Sequence, residues 1–127
     1  MKTGELGKTY QDGDYIIRQG EMGNCMYVIQ EGTVEIFMEE DMLEVPLVTR
    51  SAGDFFGEMA LFDRDVRSAS VRARGPVRIL TVDKNNLLPR IHQDPSLAFR
   101  ILEIMSNRIR ELLEEVNRLT ELLNKKG

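Results

Sequence analysis

Glu58 and Arg67 are the residues of this 127-residue chain whose types and spacing point most directly to chemistry. Gly57 permits close approach of the backbone to a bound group. The following Glu58 to Leu61 reads as a short helical turn whose free N–H groups face an anion. Nine residues after Glu58, Arg67 opens a run to Ala73 that reads as a strand. If that strand alternates, Arg67 shares a face with Ala69, Val71 and Ala73, the small and apolar residues expected inside. An arginine aimed inward requires a negative partner, because a buried unpaired charge is costly. The partner is either a protein carboxylate, which makes Glu58 and Arg67 a structural salt bridge, or a ligand anion. The planar guanidinium fork suits phosphate. Ser68 and the amides near Ala60 add donors for the same oxygens, which leaves ionised Glu58 to accept a hydrogen bond from a sugar hydroxyl. A molecule with one phosphate and one ribose meets both demands.

Short strands must position these residues. Up to about Leu80 the chain alternates apolar runs with glycine turns: Tyr15–Arg18 before Gly20, Cys25–Ile29 before Gly32, then Thr33–Met38, Glu44–Thr49, Ser68–Ala73 and Val77–Val82. Many short strands separated by turns predict a sandwich or barrel. After Asp83 the period becomes helical. Pro95 suits the first turn of a long helix with Asp94 as its N-cap. From Leu102 the apolar residues fall at Met105, Ile109, Leu112, Val116, Leu119 and Leu123, the alternating three-and-four spacing of a coiled-coil seam. That spacing predicts a homodimer. A second stripe at Ile101, Ile104, Leu113 and Leu122 widens the apolar face, so the helix is expected to touch its own domain as well.

The bulk properties set limits on function. One domain of this length buries a sizeable core without disulfides, and Cys25, the single cysteine, allows no internal bridge. The net charge of −4 argues against general nucleic-acid binding. Residues 90–127 hold seven Lys or Arg against six Asp or Glu, which is no basic stripe. No apolar run approaches the roughly 20 residues of a membrane span, and the first residues lack an apolar signal segment. The expectation is a soluble, cytoplasmic protein. His92 is the only histidine, so no catalytic residue, no metal site and no enzyme activity are predicted.

Phe56-Gly57-Glu58-Met59-Ala60-Leu61, followed by Arg67-Ser68-Ala69-Ser70-Val71-Arg72-Ala73, resembles the phosphate-binding cassette of cyclic-nucleotide-binding domains. Such domains occur in catabolite activator protein, protein kinase A regulatory subunits and cyclic-nucleotide-gated channels. The upstream run Asp14 to Ile29, closed by Gly32, resembles that family's glycine-punctuated entry strands. The resemblance implies a fold that is mainly β with C-terminal helices: a β-roll or jelly roll (double-stranded β-helix) over residues 1–89, with the cassette at 53–70. A helical segment over 90–127 would follow, its long helix starting near 95 and serving dimerisation. It further implies Glu58 at the ribose 2′-hydroxyl and Arg67 at the cyclic phosphate. Gly57, Ala60 and Ser68 would supply supporting bonds, Phe56, Met59 and Ala69 the rest of the cassette, and Ile36 and Leu47 apolar walls.

The same alignment puts the base-contacting positions near Leu112 and Leu113, whose side chains cannot hydrogen-bond. Arg108, one turn earlier, is left to stack on the base or bond to it. Ser68 offers a hydroxyl to a guanine amino group, yet it also occurs in binders of cyclic AMP, which is the favoured ligand over cyclic GMP. Activators of this family continue into a DNA-binding helix-turn-helix. This chain stops at Gly127, so the expectation is a sensor module without direct DNA binding, and its downstream effector is not legible. A ligand-independent dimerisation scaffold with the same fold is the alternative.

Overall fold

The computed structural model describes residues 7–61 and 64–126. Among the described residues eight strands precede two helices: β1 Lys8–Tyr10, β2 Tyr15–Ile17, β3 Met22–Gly23, β4 Cys25–Glu40, β5 Leu43–Ser51, β6 Phe55–Phe56, β7 Asp65–Val66, β8 Ser70–Asp83, α1 Leu87–Gln93 and α2 Ser96–Lys126. The predicted class, mainly β with C-terminal helices, is the one observed. A six-stranded sheet runs β1-β8-β4-β5, with β2 added to β8 and β6 to β4, and it stays open. The ribbon β3-β7 stands apart from it.

Two pairs of predicted strands are each one long strand. The runs 25–29 and 33–38 merge into β4, and 68–73 and 77–82 merge, from Ser70 onward, into β8. These two strands pair antiparallel from Cys25 opposite Asp83 to Phe37 opposite Ser70. Gly32 marks no chain reversal. It sits at φ +91° where the register shifts, and a Cβ there would meet the Pro76 carbonyl oxygen at 2.4 Å. The glycine therefore absorbs an irregularity inside the strand without ending it.

The core lies on both faces of this central pair. Ile29, Val34, Val71, Ala73 and Ile79 pack with Ile17 and Phe56. Met26, Val28, Leu80 and Val82 pack with Phe55 and Leu61, and the helical residues Leu87, Ile101 and Ile104 close over this second cluster. The first helix begins three residues ahead of the predicted boundary. Asp94 behaves as predicted at the start of α2: its Oδ1 accepts from the backbone N of Ser96 at 3.2 Å.

Candidate functional site

Arg67 is the departure from the simple strand reading. It lies three residues before β8, between β7 and that strand, so alternation does not turn it inward. Its backbone does: Arg67 N donates to Glu21 O at 2.8 Å, and Arg67 O accepts from Gly20 N at 2.8 Å. The side chain is 9% exposed. Its guanidinium donates to Gly57 O at 3.0 Å and Cys25 O at 2.8 Å, and lies 5.7 Å from the Tyr27 ring centre. Burial, together with a hydrogen bond to the Cys25 thiol, pushes the Tyr27 phenol above its usual range, so the ring beside Arg67 is neutral. Among the described residues no carboxylate pairs with Arg67. A structural salt bridge between Glu58 and Arg67 is thereby ruled out for this conformation.

Gly57, at φ +76° and ψ 18°, turns the chain from β6 into a 3-10 turn over Glu58–Ala60. That turn begins with the carboxylate, as predicted. Glu58 does not reach back to its own cassette. Its Oε1 accepts from Arg108 Nη1 of α2 at 2.7 Å, which leaves Oε2 without a bond among the described residues. The Arg108 guanidinium also bonds to Asp54 Oδ1 at 2.9 Å and to Phe55 O, and it sits 4.6 Å from the Phe55 ring centre. Arg50 continues the chain of charge, reaching Asp54 at 3.5 Å and Glu111 of α2 at 3.8 Å. Five charged residues thus run from the helix to the cassette.

A cavity of about 330 Å³ opens between these groups. Ten of the eleven predicted site residues line it: Phe56 to Ala60, Arg67 to Ala69, Ile36 and Arg108. Met59, 76% exposed, stands at its rim, and Ser68 is exposed as well. Leu47 is the exception. It falls in β5 where the pairing with β4 shifts register between Ile36 and Phe37, and it is 52% exposed, outside the cavity. Val48, and not Leu47, stands opposite Ile36, so Leu47 falls on the other face of β5 from that cavity residue. Arg108 lines the cavity as well, where Nη1 and Nη2 of its guanidinium are engaged by Glu58, Asp54 and Phe55 O and hold the carboxylate in place, while Nε has no partner among the described residues.

Sequence reasoning missed Arg50, Asp54, Ile17 and Val71, which line the cavity or bind the groups that do. Ile17 and Val71 were legible as inward positions of predicted strands. Arg50 and Asp54 pair with each other four residues apart, but nothing local marks them as site residues, since the contacts that tie them to the site, Glu111 and Arg108, lie on α2.

The profile of the family described as the cyclic nucleotide-binding domain matches residues 7–94. This chain belongs to that family. The cyclic nucleotide-binding domain is a regulatory module and not a catalytic one. The chain is 43% identical over 72 residues to a cAMP-dependent protein kinase type II regulatory subunit of Drosophila melanogaster, covering 57% of this chain and 19% of the relative. To cGMP-dependent protein kinase 2 of Homo sapiens it is 37% identical over 98 residues, covering 74% and 12%. The catabolite activator protein of Thermus thermophilus superposes with a TM-score of 0.73 at 30% identity, covering 89% of this chain and 54% of that one. The chain therefore spans under a fifth of the kinase relatives and about half of the activator. Among the described residues no helix is long and apolar enough to cross a membrane.

Proposed function

We propose that this domain binds a cyclic nucleotide, cyclic AMP in preference to cyclic GMP, and reports its presence through α2 as a regulatory sensor in a homodimer. The observation that carries the reading is Arg67, a buried cation on the cavity wall whose partners among the described residues are all uncharged. A cyclic phosphate is a monoanion and supplies the missing charge. Oε2 of Glu58 is left to accept from the ribose hydroxyl. The cavity volume falls within the range of small-molecule sites. The apolar side chains of the cavity, Ile17, Ile36, Val66 and Val71, favour adenine, against which Ser68 and Asp65 are lining side chains able to accept from the extra N–H groups of guanine. The family relatives include kinases named for each nucleotide.

Transmission follows from Arg108, because the carboxylate that meets the ribose is held by the helix. A ligand that changes the geometry of Glu58 changes what Arg108 can hold, provided the two helix positions differ in affinity for the ligand. Dimerisation rests on the stripe from Leu102 to Leu123, whose members are 38–72% exposed. The face toward the domain, Leu97, Ile101, Ile104, Arg108 and Glu111, is offset from that stripe by one residue, about 100° around the helix. Both contacts therefore fit on one helix. The last fifteen residues of α2 extend about 22 Å beyond Glu111.

Calorimetric titration with cyclic AMP and cyclic GMP, repeated on Arg67→Ala, tests the pocket. Heat with neither nucleotide, or binding untouched by the substitution, defeats it. Sedimentation of the protein and of Leu112→Asp tests the helix, where a monomer at all concentrations refutes the dimer. A dimer that forms normally in a protein blind to nucleotide would favour the scaffold alternative, for which the exposed stripe is the supporting observation.

A further inference from the structure

Gly23, at the end of β3, is not among the glycines with positive φ, so its backbone conformation does not require glycine. Its surroundings do. A Cβ at this position would lie 2.1 Å from Nε of Arg67, 2.3 Å from its Cζ and 2.7 Å from its Nη2, and no backbone atom is among these three nearest neighbours. The contrast with Gly7 and Gly32 is informative. There a Cβ would strike a carbonyl oxygen of β8, at 2.2 Å from Ile79 O and 2.4 Å from Pro76 O, and the strand itself would have to move. At Gly23 the three nearest atoms in the way all belong to the flexible end of one side chain.

The main chain of Arg67 cannot retreat with it. The segment that carries Gly23 also clamps Arg67 at both backbone groups, through Glu21 O and Gly20 N, and β3 pairs with β7 at Met22–Val66 and Gly23–Asp65. Across the guanidinium stands Gly57, where a Cβ would lie 2.8 Å from Nη1. Arg67 therefore passes through a slot between two glycines.

We infer that Gly23 is a positioning residue for the anion site: its bare Cα fixes where the Arg67 guanidinium lies in the cavity, and hence how it meets a phosphate. This rests on the cyclic-nucleotide reading of the pocket. A methyl group at 23 displaces the guanidinium from Gly57 O and Cys25 O while leaving the fold intact.

The test is Gly23→Ala. Cyclic AMP affinity should fall at least roughly tenfold, the loss of one charge-assisted hydrogen bond, with little change in the thermal midpoint. The Nε–H resonance of Arg67 in the ligand-free protein should move. In an Arg67→Ala background the glycine substitution should change neither affinity nor midpoint, because nothing fills the slot, and if Gly23→Ala alone folds poorly this double variant should fold. Unchanged affinity and an unmoved resonance in Gly23→Ala overturn the inference, as does an equal loss in both backgrounds. Should the parent protein bind neither nucleotide, the pocket reading falls, and the Arg67 resonance still decides whether Gly23 positions it.

Discussion

Arg67 and Arg72 stand five residues apart, and their surroundings are opposite. Arg72 lies between inward-facing Val71 and Ala73, on the other face of β8, where it bonds to Glu35 at 2.6 Å and to Glu44 at 2.9 and 3.0 Å. It also lies 4.2 Å from the Phe37 ring centre. Arg67 is more buried and, among the described residues, has carbonyls, the Cys25 thiol and a neutral ring around it and no carboxylate. A cation with two carboxylates is already neutralised and reads as structure. A buried cation without one is incomplete, and a ligand's charge completes it.

The sharpest way to break this contrast is to replace each arginine by methionine, which keeps the length and removes the charge. Arg67→Met should weaken cyclic AMP binding by about 100-fold or more, as expected for the loss of two charge-assisted bonds. Its ligand-free stability, read by denaturant unfolding, should stay the same or rise, because an uncompensated buried charge has been removed. Arg108→Ala is expected to act less strongly, about fivefold on affinity, since Glu58 loses its orientation but keeps its charge. In that variant amide exchange along α2 should no longer respond to nucleotide. Arg72→Met should leave affinity within about twofold and cost about 1 kcal/mol of stability.

The smallest effect concerns Glu44, whose carboxyl is held below its ordinary value of 4.5 by the hydrogen bond from Arg72. A carboxyl depressed in the folded state favours folding above its unfolded pKa. That contribution fades as pH falls through the folded pKa. Glu44→Gln should therefore flatten the loss of stability below about pH 4.5 and match the parent in strong acid, as read by unfolding midpoints across that range.

The two arginines also show what was legible beforehand. Alternation along the run to Ala73 identified Val71 and Ala73 as inward without a structure, because side chains on a strand alternate with period two. Alternation failed for Arg67, which is not in the strand, and the resemblance misplaced Leu47, which lies on the other face of β5 from Ile36. Gly32 was read as a turn for a related reason: its local signal is the same whether the chain reverses or a strand bulges.

From Glu58 to Arg67 the residues are those the sequence marks, while their contacts come from elsewhere in the fold. Sequence by itself determined that the chain is mainly β with a long terminal helix, that a carboxylate follows a glycine suited to close approach, and that an arginine with a serine beside it follows nine residues later. These are local matters, set by period, turn chemistry and residue type. Tertiary structure decided that Glu58 is held by Arg108, fifty residues away, that Asp54 and Arg50 carry that contact on to Glu111, and that Gly23 leaves room for Arg67. Contacts of this range depend on which strand lies beside which and on a register that a single bulge can shift, and no local pattern encodes that.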